Sequence, residues 1–264
     1  MLHEYEFIFD VDGVLADDGK GIDNHIVELL AELNRKYAHI TIVTGGLLES
    51  FFTKQTISAT RLDFLKEHID TFYGSLGNEI YIPKTHGYFT RGEYVSLDGV
   101  RDILKQYWLF NTKDKFGYYQ KFEECFERRP GMVNFSLIDR KLATETKREV
   151  LKHYGDHRQG IMKALDQWKV QVLRGGITSL DFTWVGKEQV WTDLCAKRKF
   201  QGGNLKKGMV FGDKCGVGGN DEKLSRIVYS NGGVVHQINA GTKQTIGILN
   251  DLLQKPEITY RKTL

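Results

Sequence analysis

Three stretches of this chain share one design: a short apolar run that stops at glycine and oxygen-bearing side chains. Tyr5 to Phe9 runs into Asp10-Val11-Asp12-Gly13, and His39 to Val43 runs into Thr44-Gly45-Gly46. Met209 to Phe211 runs into Gly212-Asp213, with the loop Gly216 to Gly219, Asn220 and Asp221 just behind. Runs so short and continuous read as strands buried on both faces, the pattern of a parallel sheet. Helical periodicities lie between them. Asp23 can cap a helix in which Ile26, Leu29, Leu30 and Leu33 recur. Arg61 to His68 is amphipathic, and Phe72 to Ser75 and Glu79 to Ile82 read as further short strands. Near the end, a helix from about Asn220, a strand over Gly233 to His236 and a helix over Lys243 to Leu253 continue the alternation. The spacing predicts an α/β protein with a Rossmann-like parallel sheet as its core.

The pattern changes between residues 84 and 186. Residues 98 to 127 read as helical and aromatic, with Tyr107, Trp108, Phe110, Phe116, Tyr118, Tyr119 and Phe122 at core-like spacing. No basic run is interleaved, which argues against a base-stacking surface. Met132 to Leu137, Val170 to Leu173 and Ser179 to Thr183 read as strands, with a helix around 144 to 167. This segment is expected to be an inserted α+β cap domain, with residues 1–83 and 187–264 forming the core.

Composition excludes several classes. A hydrophobic fraction of 41% is too high for a disordered chain, and the net charge of +3 does not point to nucleic acid. No apolar run approaches the ~18 residues that span a bilayer, so no membrane partner is expected. Three cysteines, Cys125, Cys195 and Cys215, are odd in number and widely spaced, which suits neither a disulfide framework nor a cysteine-rich metal site. The first residues run straight into a strand with no secretory pattern, so a cytoplasmic location is expected.

In a parallel sheet, ligands bind at the carboxyl ends of the strands. Asp10, Asp12 and Asp213 are predicted there, with Asp221 in the following loop and the Thr44 hydroxyl at a third strand end. Carboxylates crowded in this way repel unless a cation joins them, and hard oxygen ligands suit magnesium together with a phosphate. Gly45 and Gly46 let the backbone approach an anion closely. A calcium loop starting at Asp10 is excluded, because its twelfth position is Gly21.

The combination of Phe9-Asp10-Val11-Asp12-Gly13, Thr44-Gly45-Gly46 and the segment Phe211 to Asp221 resembles the haloacid dehalogenase (HAD) superfamily of phosphotransferases. That resemblance implies that Asp10 is the nucleophile and that Asp12 is the general acid and then the base. It implies that Asp213 holds Mg2+ with Asp10 and the main-chain carbonyl of Asp12, Asp221 adding a carboxylate, and that Thr44 grips the phosphate. It also implies a charge-balancing lysine, for which Lys187 is the candidate and Lys214 the alternative.

Within the insert, Glu127 to Arg140 and Gly175 to Asp181 resemble the C2B-type cap of eukaryotic-type phosphomannomutases. By that resemblance, Arg129, Arg140, Ser179 and Asp181 would bind a distal phosphate and sugar hydroxyls, and the cap helices could form a homodimer face. Some features depart from the mutases. The mutases carry an arginine shortly after the first aspartates, whereas here the stretch Val14-Leu15-Ala16-Asp17-Asp18 is acidic, and a further cap arginine falls at Lys147 or Arg148. Thr44-Gly45-Gly46 and Gly77-Asn78-Glu79-Ile80-Tyr81 look more like hydrolytic members, the latter like sugar-phosphate phosphatases. The expected activity is magnesium-dependent hydrolysis of a phosphorylated sugar through an aspartyl-phosphate, with hexose phosphate mutation as the alternative. A non-catalytic sugar-phosphate-binding module is the weaker alternative.

Overall fold

The computed structural model describes residues 5–17, 20–37, 39–55, 59–92, 95–108, 121–201 and 207–254. The chain divides into two compact units: Met1–Phe89 with Lys187–Val217 and Asp221–Leu264, and Thr90–Gly186 with Gly218–Asn220.

The first unit is built on strands β1 (Tyr5–Asp10), β2 (Ile40–Val43), β3 (Thr71–Gly74), β4 (Glu79–Ile82), β5 (Gly87–Thr90), β10 (Lys207–Gly212) and β11 (Val234–Gln237). Their order across the sheet is β11-β10-β1-β2-β3-β4-β5. The pairings β10–β11, β1–β10, β1–β2 and β2–β3 are parallel, as the buried apolar runs predict. The β3–β4 pair is antiparallel, so the sheet is mixed. Only four residues separate those two strands, too few for the crossover that a parallel pair needs. Every residue of β1 and β2 is buried. Besides Asp10 at its end, β1 buries the carboxylate of Glu6, which is satisfied by the Thr41 hydroxyl at 3.0 Å and the Arg198 guanidinium at 2.9 Å.

Helices cover both faces. On one face, α1 (Asn24–Tyr37) packs against the C-terminal helix, and its Ile26, Leu30 and Leu33 join Phe7, Phe9, Phe72 and Phe211 in the main core. Asp23 caps α1 by accepting the His25 N–H at 2.7 Å. On the other face, Val190, Trp191 and Leu194 of the helix Glu188–Phe200 pack on Ile8, Val43 and Val210. Each fully buried phenylalanine or leucine contributes roughly 1.5–3 kcal/mol.

The second unit holds a four-stranded antiparallel sheet, β6-β7-β9-β8, of Phe126–Arg129, Met132–Ser136, Ser179–Thr183 and Gln171–Arg174. Alternation splits its faces. Val133, Phe135, Leu180 and Phe182 turn into a second core with Leu104, Val150 and Ile161, while Asn134, Ser136, Ser179 and Asp181 alternate with them toward the opposite face.

The helical reading of 98 to 127 holds at Arg101–Tyr107 and is corrected at its end: among the described residues, Phe122–Cys125 forms a 3₁₀ turn and Phe126–Arg129 is a strand, because Phe126 alternates inward against Phe135. Phe110, Phe116, Tyr118 and Tyr119 lie outside the described residues. The helix expected over 144 to 167 is two helices, Thr144–Tyr154 and Arg158–Ala164, broken at Gly155. No helix among the described residues is long and apolar enough to cross a membrane.

Candidate active site

Strand register assembles the site. Phe9 pairs with Phe211 and Asp10 with Val43, so Asp10, Thr44 and Asp213 leave three adjacent parallel strands at one sheet edge. Asp221 immediately precedes α7 (Glu222–Ser230). One carboxylate oxygen from each of Asp10, Asp213 and Asp221 lies within 4.8 Å of the others. Asp12 follows two residues after Asp10, in a loop held by a bridge between Asp12 and Ala16, and its carboxyl is outside that trio. Gly13 lets this loop pass the acids: its φ is +78°, and a Cβ there would lie 2.9 Å from Asp213 Oδ2.

Lys187 is wholly buried and bridges two of the carboxylates, 2.8 Å from Asp10 Oδ1 and 2.6 Å from Asp221 Oδ1. Lys214 instead pairs with Asp213 Oδ2 at 2.5 Å, and its backbone N–H donates to Asp221 Oδ2 at 3.1 Å. Of the two lysine candidates, Lys187 is therefore the one whose ammonium reaches Asp10. Asp10 Oδ1 also accepts the Val11 N–H at 2.8 Å.

Charge crowding shows in the proton affinities. Burial, then the nearby Asp221, pushes the Asp10 carboxyl up to about 8 against the opposing pull of Lys187. Asp213 is also raised, chiefly by burial. Burial works against the Lys187 ammonium, but Asp10 and Asp221 outweigh it and hold the lysine charged. With all three carboxyls ionised, the two ammonium groups leave one negative charge uncompensated. Asp213 Oδ1 is moreover buried with no hydrogen-bond partner among the described residues. An oxygen-only donor set with an unsatisfied buried carboxylate oxygen fits a hard divalent cation.

Thr44 is buried, and its backbone N–H donates to the Tyr73 carbonyl at 2.8 Å. Its hydroxyl oxygen accepts the Gly46 N–H at 3.0 Å, so Thr44, Gly45 and Gly46 form one small loop beside Asp10. Gln237 steadies the opposite loop by donating to the Asp213 carbonyl and accepting the Cys215 N–H. Asp17, in the acidic stretch after the first aspartates, accepts the N–H and hydroxyl of Thr242 at the start of α8 (Thr242–Gln254). The acid there holds a helix end. None of the cysteines forms a disulfide, and burial raises all three thiols, Cys125 to about 12 and Cys215 to about 11, which disfavours their thiolate forms.

Within the second unit, Arg129, Ser179 and Asp181 share one face of the sheet with Asn134. Arg129 and Arg140 converge on one oxygen, Glu127 Oε2, at 2.6 and 2.8 Å. Arg140 also donates to the Cys125 and Asn134 carbonyls, so both terminal nitrogens of its fork are engaged by the protein itself, while its Nε is buried without a partner among the described residues. Asp181 accepts from Asn134 Nδ2 at 2.5 Å. Lys147 donates to the Arg140 carbonyl. Glu127 and Asn134 were not among the sequence candidates. Strand alternation over 126–129 would have aligned Glu127 with Arg129 and Asn134, but the helical reading of that segment hid it.

No family model matches the chain, and no curated protein matches it. Solved structures do. The IMP-bound, N-terminally truncated IMP-nucleotidase of Plasmodium falciparum is similar, with a TM-score of 0.59 at 16% identity over 94% of this chain and 68% of that one. The C-terminal domain of C. albicans trehalose-6-phosphate phosphatase gives 0.59 at 13% identity, over 94% and 91%. A haloacid dehalogenase-like hydrolase from Bacteroides thetaiotaomicron gives 0.53 at 14% identity, over 94% and 99%. At such identities the likeness establishes architecture: the chain has the haloacid dehalogenase-like α/β fold, a Rossmann-like core with an inserted α+β cap.

Proposed function

We propose that this chain is a magnesium-dependent phosphatase that acts through Asp10 on a phosphorylated small molecule, a sugar or similar polyol. The observation that carries the reading is the buried group of Asp10, Asp213 and Asp221 with Lys187 bridging Asp10 and Asp221. The names of the similar structures, nucleotidase and sugar-phosphate phosphatase, support the reaction class.

Asp213, Asp10 and Asp221, with the main-chain carbonyl of Asp12, are the groups offered to Mg2+. When bound, the ion neutralises phosphoryl oxygens so that an anion can approach. Val11 N–H and Lys187 orient Asp10 by holding its Oδ1. Asp10 attacks phosphorus and the bond to the substrate oxygen breaks, while Asp12 gives that oxygen a proton. Asp12 then takes a proton from water. The water oxygen attacks phosphorus, the phosphorus–Asp10 bond breaks, and inorganic phosphate leaves. Thr44 and the glycines after it hold the phosphoryl oxygens.

The substrate class rests on the polar cap face of Arg129, Ser179 and Asp181, which has phosphate- and hydroxyl-binding chemistry. The same face keeps hexose phosphate mutation as the second reading. It is the weaker one, because Arg140 is held by Glu127 and two carbonyls and Asp17 caps a helix. Incubation with mannose 1-phosphate, Mg2+ and a hexose bisphosphate separates the two. Free phosphate without isomerised sugar is the expected result; hexose 6-phosphate without phosphate release would establish the mutase. Asp10→Asn should reduce either activity by at least ~1,000-fold, and retained turnover would refute Asp10 as nucleophile.

A further inference from the structure

We propose that Glu79 is a positioning residue that sets the shape of the phosphate-gripping Thr44–Gly46 loop through a strained turn behind it. The proposal rests on the phosphoryl-transfer reading above and adds to it a residue with no contact to the reacting atoms.

Glu79 opens β4 opposite Gly74 and is only 3% exposed. Its carboxylate is shared among three segments. Oε2 accepts the Ser75 hydroxyl at 2.5 Å and the Leu48 N–H at 3.3 Å, and Oε1 accepts the Tyr88 hydroxyl at 2.8 Å. Leu48 begins the helical turn directly after the glycine loop, so one carboxylate oxygen fixes that loop's exit. Gly74 keeps the seat open: a Cβ there would lie 2.7 Å from Leu48 Cγ and 2.8 Å from Glu79 Oε2.

Ser75 carries the second half of the link. Its N–H donates to the Gly46 carbonyl at 2.7 Å, and the next N–H, of Leu76, donates to the Thr44 carbonyl at 3.1 Å. Both residues are buried and left-handed, with φ of 48° and 59°, a conformation disfavoured for side chains with a Cβ. Such backbone persists only where the surroundings over-determine it. Here the Glu79 bond to the Ser75 hydroxyl and the Asn78 side-chain bond to the Ser75 carbonyl at 2.7 Å hold it. The strained turn therefore presents two adjacent N–H donors to the two carbonyls that bracket Gly45. Without Glu79, Ser75 loses its hydroxyl anchor and Leu48 its acceptor. The loop then relaxes away from the geometry that aims the Thr44 hydroxyl.

The test uses the full chain, p-nitrophenyl phosphate and Mg2+, with melting temperature as the check on folding. Glu79→Ala is expected to lower kcat roughly ten- to a hundredfold with KM changed by less than about threefold, and Glu79→Gln to stay within about fivefold of wild type. Because Glu79 acts through Thr44, the pair Thr44→Ala/Glu79→Ala should be no slower than Thr44→Ala alone, within about twofold. Wild-type kinetics in a folded Glu79→Ala, or independent multiplying losses in the double variant, would overturn the assignment. If Glu79→Ala does not fold, Ser75→Ala decides: a kcat loss of about three- to tenfold supports the link, and unchanged kcat overturns it. A wild-type protein without magnesium-dependent turnover overturns the phosphoryl-transfer reading and this assignment with it. An active wild type matched by Glu79→Ala overturns only the role of Glu79.

Discussion

Lys187 is a wholly buried cation that serves two buried carboxylates at once. It has no exposed surface, and its ammonium stands between Asp10 and Asp221. Removing one partner of a buried ion group leaves the others uncompensated, which is typically costlier than never having had the group. Lys187→Met should therefore destabilise the cation-free protein by about 3–5 kcal/mol, read as a lower urea midpoint. A loss below about 1 kcal/mol, the range of exposed pairs, would mean that water reaches the site. Arg140 makes the contrasting case. The resemblance to the mutase cap marks it for a ligand phosphate, yet its two terminal nitrogens donate to Glu127 and two backbone carbonyls, so part of its role is to tie β6 and β7 to the loop after them.

Among the elements, the junction of β2 and β3 shows how a polar residue can fix strand register. Asp70, just before β3, accepts the Ile40 N–H at 3.2 Å, the Lys84 ammonium at 3.1 Å and a His39 ring nitrogen at 3.4 Å. Burial alone would raise this carboxyl, but the bonds from His39 and Lys84 win and hold it at about 2. Its folded value lies below that of a free carboxylate, so its stabilising contribution is complete above about pH 5 and fades as pH falls from about 4 toward 2. Lys84 is largely exposed and its share is screened, which limits the contribution to about 1–2 kcal/mol. Asp70→Asn should thus lower stability by about that amount at pH 7 in urea unfolding, and the gap from wild type should narrow below pH 4. A gap that is constant with pH would show that packing, not charge, does the work at this position.

For the whole molecule, the carboxylate trio links cation binding to folding, because an unfolded chain cannot gather Asp10, Asp213 and Asp221. A ligand at a hundred times its Kd adds about 2.7 kcal/mol to the folded state, or roughly 5–10 °C in Tm for a chain of this size. Mg2+ should produce a shift of that order, and Asp213→Asn should remove most of it. An unchanged Tm in wild type would count against the cation site, independently of any activity. The strand-end residues Asp10, Thr44 and Asp213 were legible because a parallel strand buried on both faces must be continuously apolar, so its end and the first polar residue beyond it stand out. The same logic failed at 122–127, the end of the segment read as helical, where aromatic spacing fits a helix and a half-buried strand alike, and Phe126–Arg129 took the strand because its inward phenylalanine meets Phe135. Local sequence therefore determined which residues end the central strands and the oxygen-rich chemistry they offer. Only the tertiary structure decided that Lys187 rather than Lys214 faces Asp10, that Arg140 is already engaged, and that Glu79 backs the Thr44 loop. The first choice depends on strand order, which brings Lys187 to an acid more than a hundred residues earlier in the chain; Arg140 and Glu79 find nearer partners, presented only once the strands and turns around them have formed. Burial penalties act on the assembled fold, and no local pattern of residue types records them.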